Sequence, residues 1–224
     1  MGQRKALPHY NSQPPGREAF TRKEWGIIQK HRTPKQVQDF LRSLPYNWGK
    51  RGTTQRTFRG VVNHGETQCL EAALAAATIL EQHGYPPLLL DMESQDGLGH
   101  TLLLFQHRGL YGTVARSRDA GLHGRKPVYR TLLELVKSYA DPFVDRTGRL
   151  THWAVYDLRR LRRCDWRLSV RNVWKVERTL LAIRHKRFAF SDRRYHLLHR
   201  RYLSFRERYP DRPVTYYDSR PQWL

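Results

Sequence analysis

Hydrophobic positions near the start of the chain recur with a helical period. The segment TRKEWGIIQKHRTPKQVQDFLRSLPYN, residues 21–47, predicts two short helices. Thr33 and Pro34 suit the beginning of the second helix, as a capping hydroxyl followed by a proline in the first turn. The segment WGKRGTTQRTFRG that follows predicts a loop. The apolar face of the second helix consists of Val37, Phe40, Leu41 and Leu44.

The most apolar segment runs from Cys69 to about His83 and reads CLEAALAAATILEQH. Its apolar residues lie all round the predicted helix, which is typical of a helix buried on every side. Gly84 and the two prolines that follow shortly after predict where this helix ends.

The pattern then changes to short apolar runs separated by glycine-containing turns. PLLLDM, HTLLLFQ and YGTVARS predict three strands of an antiparallel sheet, with the middle strand covered on both faces. TLLELVKSYADPF predicts a helix, and THWAVYDLR predicts a further strand. We therefore expect an α+β fold, in which a helix that starts at a cysteine packs on an antiparallel sheet.

The remaining chain is helical in pattern and strongly basic. NVWKVERTLLAIRHKRF and DRRYHLLHRRYLSFRERYP predict amphipathic helices that mix arginine with aromatic residues. Three parts are expected: a flexible arm over residues 1–20, a domain over 21–160, and a basic, mostly helical C-terminal extension over 161–224.

Composition narrows the class of protein. In 224 residues no apolar run is long enough to span a bilayer, and the first twenty residues have no apolar signal core. We therefore expect a cytoplasmic protein without a membrane span. Cys69 and Cys164 are the two cysteines, too few for a disulfide scaffold.

The net charge of +21 is unevenly distributed. Residues 1–60 carry +10, residues 61–145 carry −3 and residues 146–212 carry +14, so a nearly neutral middle lies between basic flanks. Such flanks attract polyanions such as nucleic acid, although the same charge also occurs as a general solubility trait. The aromatic residues among the basic ones suit single-stranded nucleic acid, and they equally suit a helical layer packed on the core.

Cys69 and His100 are the candidate catalytic pair. A cysteine at a helix N-terminus is exposed to free backbone N–H groups and the helix dipole, which stabilise a thiolate. His100 opens the predicted middle strand, 31 residues downstream, where an imidazole could accept the thiol proton. The alternative is that Cys69 is a small buried residue and His100 an ordinary residue at the start of a strand.

TQCLEAALAAATILEQHGYPPLLLDM followed by GHTLLLFQHRGLYGTVARS resembles the core of the transglutaminase-like superfamily, within the papain-like cysteine enzymes. TPKQVQDFLRSLPYNW resembles the helix and tyrosine turn that precede the nucleophile in that family. The resemblance covers about residues 33–120 and implies a papain-like fold. It also implies a cysteine enzyme that acts on amide bonds of a protein or peptide, by hydrolysis or acyl transfer, without a cofactor.

The sequence departs from the family pattern around the histidine and the third catalytic residue. Thr101 and Leu102 follow His100, where the family commonly has alanine and tryptophan. No carboxylate occupies the position of the family's aspartate, so either Asp119 or Ser117 orients His100, or nothing does.

Further roles are assigned to residues around this pair. Asn63 is a candidate side-chain donor to an oxyanion. The loop ARSRDAGLHGRKPVYR, whose arginines include Arg116, Arg118 and Arg125, could hold a substrate carboxylate or phosphate, or be an ordinary surface loop. The histidines show no ligand spacing, so no metal site is predicted. The competing hypothesis is a non-catalytic basic protein, which binds nucleic acid or an acidic partner on the same scaffold.

Overall fold

The computed structural model describes residues 13–50, 52–214, 216–217 and 220–224. They form an α+β fold with one six-stranded sheet. The α-helices are α1 (Arg22–Lys30), α2 (Pro34–Ser43), α3 (Phe58–His64), α4 (Cys69–Glu81), α5 (Leu132–Ala140), α6 (Trp174–Ala182) and α7 (Asp192–Arg208). The strands are β1 (Leu88–Ser94), β2 (Gly99–His107), β3 (Leu110–Val114), β4 (Arg125–Tyr129), β5 (Leu150–Asp157) and β6 (Lys186–Arg187).

The strands lie in the order β4-β3-β2-β1-β5-β6, and every neighbouring pair is antiparallel. Leu90 of β1 pairs with Leu102 of β2, and Leu103 of β2 pairs with Val114 at the end of β3. The three predicted strands are confirmed as an antiparallel meander. Consecutive strands are neighbours in the sheet, since turns of only two to four residues, each with a glycine, join them.

Side chains alternate between two faces of the sheet, and each face carries its own core. Leu89, Leu103 and Phe105 pack against α4 and the N-terminal helices. Leu90, Leu102 and Leu104 pack on the other face with residues of α5. The middle strand β2 is therefore covered on both sides, as its uninterrupted apolar run predicts.

Helix α4 is buried along almost its whole length, as predicted from apolar residues on all its sides. Five alanines allow α2, α3 and the sheet to approach it closely. Gly84 has a φ of +84°, a left-handed conformation that favours glycine, and it ends the segment where the sequence predicts.

The C-terminal residues pack on the same core as the central ones. Trp166, Val176 and Leu180 are buried in the cluster around α4, and β6 extends the sheet next to β5. The Arg167 guanidinium donates to both carboxylate oxygens of Glu81, at 2.5 and 2.8 Å, and links this segment to the end of α4.

The predicted N-terminal arm falls partly outside the described residues, which begin at 13. From there to residue 20 the chain lies on the folded core. The Gln82 side chain donates to the Pro15 carbonyl oxygen, Arg17–Ala19 forms a 3-10 turn, and Phe20 is buried.

Three elements differ from the sequence prediction. The predicted helix over residues 172–188 ends at Ala182, and Lys186–Arg187 forms strand β6. The last three residues of the predicted loop WGKRGTTQRTFRG form the start of α3, which Thr57 caps. The polar segment before α5 contains strand β4, because Arg125 pairs with Thr113 of β3 and lies buried. The described residues include no helix that is long and apolar enough to cross a membrane.

Candidate active site

Cys69 is the first residue of α4. Gln68 caps this helix, with its side-chain oxygen accepting from the Leu70 amide at 2.8 Å, and Glu71 completes the capping box. The same Gln68 oxygen lies 3.1 Å from the Cys69 sulfur and accepts the thiol proton. The thiol is therefore held beside the free N–H groups of the helix N-terminus, as the sequence predicts.

A buried carboxylate fixes the loop that precedes α4. Glu71 accepts hydrogen bonds from the Thr54 hydroxyl at 2.6 Å and from the Arg56 amide at 3.1 Å. Tyr46 forms an isolated bridge with Thr67, two residues before the cysteine. These contacts bring the Tyr46 ring to the same cleft as the thiol.

His100 is the second residue of β2 and is buried. Its Nε2 atom lies 2.8 Å from the carbonyl oxygen of Leu122, in the 3-10 turn Ala120–Leu122. A carbonyl oxygen can only accept, so Nε2 carries the proton of the neutral ring and Nδ1 is the free acceptor.

Cys69 and His100 line one cleft of about 190 Å³. The backbone N–H of Thr101, the residue after His100, acts on the pKa of the Cys69 thiol. The side chains of His100, Leu102 and Leu104 point to the α5 face of the sheet, while α4 packs on the other face. Both Cys69 and His100 line the cleft at the edge of β2, beyond the end of β3. The remaining lining residues are Tyr46, Ser94, Leu98, Gly99, Ser117, Arg118, Asp119, Leu122, Pro142, Phe143 and Asp145.

Burial raises the pKa of the Cys69 thiol. The backbone N–H groups of Thr101 and Leu70 act in the opposite direction, because they stabilise the thiolate, and the Asp91 carboxylate adds to the rise. The helix N-terminus therefore lowers the pKa of the thiol, as the sequence predicts, but burial raises this pKa by more. The resting group is a neutral thiol that needs a base.

Burial also lowers the pKa of His100 from 6.5 to about 4. The hydrogen bond to Leu122 opposes this change, and the charge of Arg125 reinforces it. The imidazole is consequently neutral at physiological pH and can accept a proton. Both groups are therefore neutral at physiological pH, and a reaction of the thiol would need a base to accept its proton.

Ser117 and Asp119 both line the cleft, but other groups occupy their polar atoms. The Ser117 hydroxyl accepts from the Asp119 amide at 3.2 Å. The Asp119 carboxylate lies 3.6 Å from both Arg118 and Arg206, and burial raises its pKa. In the described part of the chain, the His100 ring donates its hydrogen bond to the Leu122 carbonyl oxygen, and neither Ser117 nor Asp119 bonds to the ring.

The structure places Asn63, the candidate oxyanion donor, away from the cleft. Asn63 is exposed in the last turn of α3 and does not line the cleft. The backbone N–H groups of Leu70 and Thr101 lower the pKa of the Cys69 thiol, so backbone donors lie close to the sulfur.

The three candidate substrate-binding arginines lie in different environments. Arg118 is half exposed and lines the cleft. Arg116 packs over Tyr46 and donates to the carbonyl oxygens of Ser117 and Leu44, which makes it a support for the cleft wall. Arg125 is fully buried and does not line the cleft. Its guanidinium donates to the carbonyl oxygens of Gly121 and His123 and lies 4.1 Å from the centre of the Tyr139 ring.

Two further contributors to the site were missed by sequence reasoning. The Leu122 carbonyl has no sequence signature, since any residue supplies a carbonyl. The C-terminal helix α7 reaches the rim of the cleft through Tyr202 and Arg206, which line an adjoining groove of about 660 Å³. This groove shares Leu98, Arg118, Asp119 and Asp145 with the cleft.

Comparison with known protein families and with curated proteins found no match to this sequence.

Proposed function

We propose that this protein is a transglutaminase-like cysteine enzyme that acts on amide bonds of a protein or peptide by hydrolysis or acyl transfer. The observation that carries the proposal is the shared cleft of Cys69 and His100, in which Leu122 holds Nε2 and leaves Nδ1 free. The resemblance of residues 33–120 to that superfamily supports the same assignment.

The proposed reaction begins with the neutral thiol. His100 Nδ1 takes the proton of Cys69 as the sulfur attacks the amide carbonyl carbon. The resulting oxyanion accepts hydrogen bonds from backbone N–H groups at the start of α4 and from Thr101. His100 then gives its proton to the departing amine, which leaves a thioester on Cys69. Water or a second amine, deprotonated by His100, attacks the thioester and restores the thiol.

The shape of the site suits an extended substrate. The cleft of about 190 Å³ accommodates little more than the reacting amide and its neighbours, while the groove of about 660 Å³ continues along α7. Trp48 and Arg118 line that groove with Asp119 and Asp145, so apolar and charged side chains of a peptide would both find partners there.

The test combines two readouts on a generic protein substrate. Casein is incubated with a fluorescent primary amine, and both amine incorporation and peptide cleavage are followed. We expect one of the two activities in the wild type and in Cys164→Ala, and neither in Cys69→Ala. A Cys69→Ala variant that retains the activity would overturn the proposal. Which readout responds distinguishes acyl transfer from hydrolysis.

A further inference from the structure

A second cluster of reactive side chains lies on the α4 face of the sheet, outside the cleft. Asp91 and Glu93 come from β1, and His185 directly precedes β6. Each offers one ligand atom, and the three atoms lie within 4.8 Å of one another. Among the described residues, this is the group of three whose geometry suits a metal ion.

The sheet register brings these residues together across β5. Asp91 pairs with Ala154 of β5, and the next residue of β5 towards its start, Trp153, pairs with Lys186. The side chain of Ala154 is a single methyl group, so the imidazole of His185 reaches over it to β1. His185 Nε2 lies 3.1 Å from Asp91 Oδ2 and 3.4 Å from Glu93 Oε1.

Neighbouring groups hold the ligand atoms in place. The Thr101 hydroxyl donates to Asp91 Oδ1 at 2.7 Å, which leaves Oδ2 directed at His185. The Ile183 carbonyl oxygen lies 3.0 Å from His185 Nδ1, so Nδ1 is the protonated nitrogen. Partners of this kind, a carbonyl on the far nitrogen and a donor on the far carboxylate oxygen, typically orient metal ligands.

The cluster is open to solvent on one side. The Asp91 and His185 side chains are 8% and 7% exposed, and Glu93 at 31% opens the cluster to solvent. A cation that enters from this side would meet two carboxylate oxygens and one imidazole nitrogen at ligand spacing.

We propose that Asp91, Glu93 and His185 form a binding site for a divalent transition-metal ion, for which Zn²⁺ is the probe. One imidazole nitrogen and two carboxylate oxygens suit zinc and its neighbours in the first row, whereas Ca²⁺ and Mg²⁺ prefer all-oxygen sites. Three protein ligands leave at least one coordination position for water or another ligand. None of the three proposed ligands lines the cleft of Cys69 and His100.

The test is calorimetric titration of the full chain with Zn²⁺, with Co²⁺ absorption as a second readout of coordination. We expect one ion per chain and an affinity at least about tenfold lower in Asp91→Asn and His185→Gln. His107→Gln, which alters an exposed histidine at the end of β2, is the matched control and should bind like the wild type. Cys69→Ala should also bind like the wild type, which separates this site from the thiol.

Glu93→Gln is a third test variant, in case the two buried substitutions prevent folding. It should fold normally, because Glu93 is the most exposed of the three ligands. It should weaken binding by about tenfold as well, while circular dichroism and the thermal midpoint without metal stay unchanged. Absence of a stoichiometric Zn²⁺ site in the wild type would overturn the proposal, and so would binding that survives in both Asp91→Asn and His185→Gln.

Discussion

The Nε2 atom of His100 lies 2.8 Å from the carbonyl oxygen of Leu122. This contact places a neutral peptide group where the resemblance to the transglutaminase-like superfamily implies an aspartate. A carbonyl fixes the tautomer of the imidazole but adds no negative charge, so it stabilises an imidazolium less than a carboxylate would. Buried without a counterion, His100 keeps a pKa of about 4.

His100 and His123 together predict acid sensitivity of the fold. Burial lowers the pKa of each from 6.5 to about 4, so between these values the unfolded chain binds more protons than the folded one. Stability is therefore intact above pH 6.5 and falls as the pH is lowered towards 4. We expect a loss of about 2 kcal/mol per histidine between pH 7 and pH 5 in urea unfolding. His100→Gln and His123→Gln should each flatten the profile, and unchanged slopes in both variants would contradict the assignment.

Cys69 should be alkylated before Cys164. Burial raises the pKa of both thiols, so both should react slowly at neutral pH and faster as the pH rises. Cys69 has backbone N–H groups of Thr101 and Leu70 that stabilise its thiolate, and it lines the cleft. Limited iodoacetamide treatment followed by peptide mass mapping measures the order. Earlier labelling of Cys164 would count against Cys69 as the reactive thiol.

Breaking the buried pair Glu81–Arg167 should destabilise the fold strongly. Both side chains are about 97% buried, and removing one partner leaves an uncompensated charge. We expect Glu81→Ala to lower the free energy of unfolding by about 3–5 kcal/mol in chemical denaturation. Asp39→Ala, which breaks the exposed Lys35–Asp39 pair, is the control and should cost under about 1 kcal/mol. Equal effects of the two variants would disprove the special role of the buried pair.

The basic flanks should bind polyanions in a salt-dependent way. Arg193, Arg200 and Arg208 are exposed along α7, within the region that carries +14. The affinity for heparin, measured across a salt series, should fall steeply as the salt concentration rises, because the release of counterions on binding then contributes less free energy. Arg193→Glu combined with Arg200→Glu should weaken binding, whereas Lys35→Glu on α2 should have a smaller effect. If the affinity is absent at low salt, or constant across the series, the prediction that α7 binds polyanions is wrong.

The central elements of the fold follow from local patterns. Helix α4 and strands β1 to β3 were predictable because apolar runs, glycine turns and a capping residue all indicate the same boundaries. Strand β4 escaped prediction because Arg125, a residue type usually exposed, is buried there against Tyr139 and backbone carbonyls.

The cleft of Cys69 and His100 was predictable only in part, because some of its contacts join residues far apart in the sequence. The positions of Cys69 and His100 follow from the helix start and the strand start. Gln38 of α2 binds the backbone of Ala115 through both its amide atoms, which ends β3 and diverts the chain towards Leu122. Such a long-range side-chain contact has no local signature, so the group that orients His100 could not be read from the sequence. The cluster of Asp91 and His185 joins residues 94 positions apart, far from any ligand motif.

The most direct test of the catalytic pair is the rate at which an activated ester acylates Cys69, followed by intact-protein and peptide mass measurement across a pH series. The wild type should form a thioester on Cys69, with a rate that falls as the pH is lowered towards 4, where His100 becomes protonated. His100→Gln should reduce this rate by about 10²–10⁴-fold, the usual contribution of a general base, and His107→Gln should leave it unchanged. Acylation of Cys69 at equal rates in the wild type and His100→Gln, or an acyl group found on Cys164 instead, would contradict the account.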